Sequence, residues 1–87
     1  MSFHRVKTVA PLPNYFLDVH FEDGTQKKYD VKPLFSKWEV FKALVDIKGL
    51  FEQVQVDMGG YGIVWNDYID LSCDELYYNG IEPVGGV

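Results

Sequence analysis

Residues 15–31, YFLDVHFEDGTQKKYDV, carry the strongest structural signal in the chain. Apolar and polar side chains alternate over residues 15–21, which is the pattern of a β-strand with one buried face. The predicted buried set is Tyr15, Leu17, Val19 and Phe21. Asp23-Gly24 follows, and this pair favours the positive φ that a tight hairpin turn needs. The stretch therefore predicts a β-hairpin whose return strand runs from Gln26 to Val31.

Further strands are predicted on both sides of this hairpin. Residues 5–10 precede it, with Val6 and Val9 as apolar members, and a turn is expected over residues 11–14, where two prolines and an asparagine cluster. Val54 and Val56 alternate with glutamines, and Ile63-Val64-Trp65 is rich in β-formers. Ile69 and Leu71 follow a predicted turn at Asn66-Asp67.

Two segments have the pattern of a helix start. Ser36-Lys37-Trp38-Glu39 and Ser72-Cys73-Asp74-Glu75 both fit the capping box, in which a serine and a glutamate bond each other's backbone N–H groups. The first is predicted to open a helix through Val45, and the second a helix that ends at Asn79-Gly80. Helices inserted between strands in this irregular order favour the α+β class.

The predicted fold is thus α+β, a small antiparallel sheet of four or five strands with two or three short helices. Residues 1–87 are expected to form a single domain, with residues 81–87 as a frayed tail because this stretch contains a proline and two glycines. With 47% hydrophobic and 16% aromatic residues, the chain holds more aromatic surface than one small core needs. A homodimer or a partner interface is therefore expected.

The single cysteine, Cys73, allows no intrachain disulfide. There is no signal-peptide pattern and no apolar run long enough to span a membrane, so the expected location is the cytoplasm. The net charge of −5 argues against general nucleic-acid binding.

The charge is unevenly distributed along the chain. All eight Lys and Arg residues lie within residues 1–48, whereas residues 49–87 contain seven acidic residues and no Lys or Arg. Two interpretations are open: the charges of both halves mix on one surface, or the C-terminal half forms an acidic face suited to a basic partner.

No pattern of catalytic or metal-binding residues is found. His4, His20 and Cys73 lack the spacing of metal ligands. Asp67, Asp70, Asp74 and Glu75 could hold a cation or act as an acid–base pair, but turn and helix-start roles explain them better. We therefore predict no enzyme activity, no metal and no cofactor.

Contact with a partner is the better hypothesis, because Tyr and Trp dominate interface energetics. Tyr77 and Tyr78 are adjacent on a short predicted helix, so at least one should reach the surface. The predicted partner-binding residues are Trp38, Asp67, Tyr68, Asp70, Asp74, Glu75, Tyr77 and Tyr78.

The order of these elements resembles a known family. The residues that carry the resemblance are Arg5–Val9, Phe16–Gly24, Tyr29–Val31, Pro33-Leu34, Val40-Phe41, Leu44, Asp46, Leu50-Phe51, Val54, Ile63–Trp65 and Ile69–Leu71. Over residues 4–78 the chain is similar to the small bacterial family called domain of unknown function 2442. The resemblance implies no established enzyme activity and an antitoxin-like role beside a small protein encoded by an adjacent gene. Some relatives carry a further helix-turn-helix domain, so operator binding by this chain alone is not expected.

The predicted function is a non-catalytic protein-binding module, the antitoxin-like member of a bacterial toxin–antitoxin pair, which neutralises its partner by direct contact. Two alternatives stay open. One is a small-ligand-binding protein with a pocket at Tyr61 and Trp65. The other is a nucleic-acid-contacting regulator that uses Arg5, Lys7, Lys27 and Lys28.

Overall fold

The computed structural model describes residues 4–82. The strands are β1 (Val6–Leu12), β2 (Phe16–Phe21), β3 (Gln26–Asp30), β4 (Gln55–Val56), β5 (Gly62–Asn66) and β6 (Ile69–Ser72). The α-helices are α1 (Lys32–Lys37), α2 (Ala43–Asp46) and α3 (Cys73–Asn79). Short 3-10 turns fill several of the connections.

The strands form two three-stranded antiparallel sheets, β1-β2-β3 and β4-β5-β6. The mixed helix and strand content confirms the α+β class, but the prediction of one sheet with four or five strands is wrong. β1 and β4 lie in contact, yet no ladder joins the sheets within residues 4–82. β4 is only two residues long and pairs with β5, and after Asp57 the chain enters a 3-10 turn over Met58–Gly60.

The central hairpin forms as its alternation predicts. Leu17 and Val19 are buried opposite Tyr29 and Lys27 of β3. The turn carries Gly24 at φ +92°, and an Asp23 carboxylate oxygen accepts from the Thr25 N–H at 2.9 Å. The backbone thus provides the local geometry that Asp-Gly favours.

The start of the hairpin differs from its prediction. Tyr15 has φ +62° in a 3-10 turn before β2, and it packs against Phe35 and Phe51. β1 continues through Pro11 to Leu12, so the turn lies later than predicted. A proline is tolerated there because β1 is an edge strand, where one N–H need not pair.

The first predicted capping box does not form. The helix begins earlier, at Lys32 with Pro33 in its first turn, and Ser36 lies near its end. A proline fits there because N–H groups of the first turn have no partner within the helix. Residues 39–42 form a 3-10 turn that leads into α2. Phe41 and Leu44 are buried, whereas Val40 and Val45 remain half exposed.

The second predicted helix start is correct, but only one of the two hydrogen bonds of its capping box forms. Ser72 is the N-cap of α3, and its hydroxyl accepts from the Glu75 N–H at 3.1 Å. The Glu75 carboxylate bonds elsewhere, to Tyr29 and Asn79. α3 ends at Asn79, and the N–H of Gly80, its C-cap, donates to the Leu76 carbonyl oxygen at 3.0 Å.

These two serines allow a matched test of helix capping. Ser72→Ala should lower the free energy of unfolding by about 1 kcal/mol, because an N-cap hydroxyl satisfies a helix N–H. Ser36→Ala should change it by less than about 0.5 kcal/mol, since Ser36 caps no helix. Urea unfolding of both variants checks this. Equal losses would contradict the assignment of the helix starts.

Both sheets and the helices share one core. It contains Val6, Leu17, Val19, Phe21, Tyr29, Val31, Leu34, Phe41, Leu44, Phe51, Val54, Ile63, Trp65, Ile69, Cys73 and Leu76. Ile81, placed in the tail by the sequence, pairs with the outer edge of β3. Its N–H and carbonyl bond the Lys28 backbone at 2.9 and 2.7 Å. Residues 83–87 of the predicted tail lie outside the described part of the chain.

Candidate functional site

A groove of about 370 Å³ lies between β3, α1 and α3. Its lining residues are Lys28, Tyr29, Asp30, Pro33, Leu34, Lys37, Glu75, Asn79 and Ile81. Pro33, Leu34 and Ile81 supply the apolar part, and both charge signs are present. Of the predicted partner-binding residues, this groove contains only Glu75.

The Glu75 carboxylate forms the polar centre of the groove. Tyr29 donates its hydroxyl proton to Oε2 at 2.7 Å, and the Asn79 amide donates to Oε1 at 2.9 Å. Burial raises the pKa of the Tyr29 hydroxyl, and the Glu75 carboxylate that it bonds raises it further. Tyr29 therefore stays neutral and ties α3 to β3, a positioning contact rather than an acid–base pair.

Alkaline unfolding should report this contact. Because the folded pKa of Tyr29 lies above its ordinary value of 10.0, its contribution to stability is complete below pH 10 and declines as the pH rises further. Tyr29→Phe should lose about 1–2 kcal/mol of unfolding free energy at pH 7. Above pH 10 this variant should lose less stability than the parent. Denaturant titrations from pH 7 to 11 check this, and Tyr68→Phe, at an 80% exposed side chain, is the control. Parallel curves for parent and Tyr29→Phe would contradict the prediction.

The other side of α3 contacts His4, which lies two residues before β1. The His4 ring stacks on Tyr77 at 3.6 Å between centroids, and its Nε2 lies 3.1 Å from the Tyr78 hydroxyl. Lys27 Nζ lies 5.2 Å from the Tyr77 ring centroid. Tyr77 is half buried by these contacts, whereas Tyr78 is 68% exposed. One of the adjacent tyrosines thus reaches the surface.

Three predicted residues lie together on the hairpin that joins β5 to β6. Asp67 and Tyr68 form its turn, and Asp70 lies within β6 with its side chain exposed. Asn66 Oδ1 accepts from the Tyr68 and Ile69 N–H groups at 2.8 and 3.0 Å, which orders the turn. The Tyr68 side chain therefore projects from a defined backbone.

Asp74 lies in the first turn of α3, directly after β6. Within residues 4–82, Asp67, Asp70 and Asp74 form no ion pair. Their charges are therefore not neutralised locally by a Lys or Arg. We call Asp67, Asp70 and Asp74 the acidic hairpin set.

Trp38 lies on a different element from this set, at the end of α1. It is 54% exposed, and Lys37 Nζ lies 5.8 Å from its ring centroid. Exposed Val40, Val45 and Ile47 follow within ten residues. The structure therefore does not join the eight predicted residues into one surface.

Most of the residues named in the two alternative hypotheses already contact other groups of the chain. Trp65 is a core residue whose indole N–H donates to the Phe51 carbonyl oxygen at 3.0 Å, so the predicted pocket at Trp65 is filled. Arg5 bonds Tyr61, and Lys27 lies 3.7 Å from a Glu82 carboxylate oxygen. The Lys28 side chain lies over the Phe16 ring, on the face of the sheet opposite to Lys27.

Sequence reasoning missed the groove of Tyr29, Glu75 and Asn79. The strand pattern places Tyr29 inward, and a carboxylate at the start of a helix suggests a cap. Nothing local indicates that residues 46 positions apart bond each other. The one available signal is the inward position of Tyr29 in its strand, because a buried hydroxyl needs a hydrogen-bond partner.

The remaining groups that could carry chemistry are metal-ligand side chains and the Cys73 thiol. Among residues 4–82, no three His, Cys, Asp or Glu side chains lie close enough together to hold a metal ion. Burial, followed by the neighbouring Asp74 charge, raises the pKa of the Cys73 thiol, which disfavours the nucleophilic thiolate. No helix in this part of the chain has the length and apolar character of a membrane span.

Comparison with known proteins identifies a family. No curated protein and no solved structure gives a significant match. The family model described as protein of unknown function (DUF2442) matches residues 6–82, from the first residue of β1 to the last residue described. The match covers both sheets, the groove and the acidic hairpin set, and the chain therefore belongs to the DUF2442 family.

Proposed function

We propose that the chain is a non-catalytic protein-binding module that neutralises a small basic partner by direct contact, as the antitoxin-like member of a two-gene pair. The observation that carries this proposal is the acidic hairpin set. Its three carboxylates are exposed, lack ion pairs within residues 4–82, and belong to a half of the chain without Lys or Arg. Such a surface favours encounter with a basic protein.

Exposed aromatic side chains support the same proposal. Tyr68 lies beside the acidic hairpin set and is 80% exposed on an ordered turn. A tyrosine held this way can bury its ring in a partner at little entropic cost. The antitoxin role itself comes from the family resemblance, and the proposed location is the cytoplasm.

Co-expression with the product of the adjacent gene tests the proposal. The full chain should co-purify with that product at about 50 mM salt and lose it progressively toward about 500 mM, because salt screens charges. The triple variant Asp67→Asn, Asp70→Asn, Asp74→Asn should weaken binding at least tenfold. A control with Glu39→Gln and Asp46→Asn, which removes two exposed carboxylates from another part of the surface, should change it less than twofold. Absence of a complex with the folded chain would overturn the proposal.

A second candidate is small-ligand binding in the groove of Tyr29 and Glu75. The groove volume of about 370 Å³ favours it. However, both Glu75 oxygens already accept hydrogen bonds within the chain. A thermal-shift screen should find a saturable ligand whose effect disappears in Asn79→Ala if this candidate is right.

A further inference from the structure

The outer edge of β6 has backbone groups without a strand partner in the described part of the chain. β6 is the last strand of its sheet and pairs only with β5. The Cys73 N–H donates to the Tyr61 carbonyl oxygen at 2.8 Å. Because antiparallel residues alternate between bonding their neighbour and facing away, Leu71 faces β5 while Asp70 and Ser72 face outward. The Asp70 N–H and C=O and the Ser72 N–H therefore point to the open side.

The charges at this edge select what could pair there. Asp70 lies in the middle of the strand, with Asp67 before it and Asp74 after it. An acidic segment, or the same edge of a second copy, would place like charges opposite each other and be repelled. A segment with Lys or Arg opposite Asp70 would gain a cross-strand pair of opposite charges.

From this geometry we infer that β6 receives an extended, basic segment of the partner protein as an added strand. The backbone groups of Asp70 and Ser72 provide the hydrogen bonds, and the acidic hairpin set selects alternating Lys or Arg side chains. Tyr68 contacts the apolar side chains at one end of that segment. This inference rests on the proposed function and specifies how the partner is held.

A model peptide tests the inference on the full chain. The probe is a nine-residue capped peptide of alternating lysine and valine, titrated into the isotopically labelled protein at about 50 mM salt. We expect the amide signals of Asp70 and Ser72 to shift in a saturable way. A second version of the peptide carries N-methyl groups at alternate residues, on the N–H groups that would face β6. It should bind at least tenfold more weakly, because it cannot donate to the Asp70 carbonyl oxygen.

Two substitutions of Asp70 separate the contribution of its backbone N–H from that of its side-chain charge. Asp70→Asn should weaken the peptide about threefold to fivefold, since it removes one charge pair and keeps the N–H. Asp70→Pro should weaken it at least tenfold, because it also removes the outward N–H, and an edge strand tolerates proline at such a position. Glu52→Gln, an exposed carboxylate outside both sheets, should change binding less than twofold.

In the peptide assay, three results would overturn the inference: no binding at about 50 mM salt, signal shifts confined to other surfaces, or equal affinity of the plain and N-methylated peptides. The N-methylated peptide keeps the test decisive if Asp70→Pro fails to fold. The co-purification assay separates the two proposals. A partner retained equally by the parent and Asp70→Pro would end the strand-addition mode while keeping protein binding, whereas no partner on the folded parent would end the proposed function.

Discussion

Trp65→Ala should lower the free energy of unfolding by about 3–5 kcal/mol, the range for removing a large aromatic side chain from a core. Trp65 is 6% exposed, and its ring packs against Phe41 and Phe51 at 6.1 and 6.3 Å between centroids. The variant also leaves the Phe51 carbonyl without its indole donor. A domain of this size has about 5–10 kcal/mol of stability, so the loss removes much of it.

The other tryptophan is the matched control. Trp38→Ala should change the free energy of unfolding by less than about 0.5 kcal/mol, because half of that side chain is in water. Guanidinium unfolding followed by circular dichroism checks both variants without relying on tryptophan emission. A comparable loss in the two variants would show that the core is not built around Trp65.

Gly60→Ala is expected to cost about 3 kcal/mol, from the sum of two effects. Gly60 has φ +78°, where an alanine costs about 1–2 kcal/mol. In addition, a Cβ at Gly60 would lie 2.8 Å from the Val6 carbonyl oxygen of β1, and relieving such a clash costs about 1–3 kcal/mol. At Gly60, therefore, the segment that precedes β5 lies close to β1 of the first sheet.

Gly24→Ala separates the two effects. Gly24 has φ +92°, but a Cβ there would meet no atom within 4 Å. We therefore expect only the conformational cost, about 1–2 kcal/mol. Urea unfolding of both variants measures the difference. Equal losses in the two variants would show that the Cβ at position 60 does not clash with β1.

The strongest local patterns predict their elements well. Residues 16–21 and 26–30 form the hairpin because alternation and Asp-Gly act over a few residues, and neither depends on distant parts of the chain. Ser72 caps α3 for the same reason, since the hydroxyl and the N–H that it satisfies are three residues apart. Ser36 has the same local pattern but lies inside a helix, because Pro33 starts α1 one turn earlier.

The candidate sites depend more on tertiary structure. The sequence shows that acidic residues are concentrated in residues 49–87, and the structure places Asp67, Asp70 and Tyr68 on one hairpin beside Asp74. It separates Trp38 from them and places Tyr77 under His4, contacts between residues far apart in the chain. The spacing of residues along the sequence does not indicate which distant residues come into contact.

The amino-acid sequence alone thus determined the α+β class, the central hairpin, the start of α3 and the asymmetry of charge, because each arises from neighbouring residues or from composition. Tertiary structure alone decided that the strands divide into two sheets, that Tyr29 meets Glu75, and that β6 presents an open edge. The physical reason is that these features depend on how segments distant in the chain pack around a shared core, where burial and close backbone approach outweigh local preference.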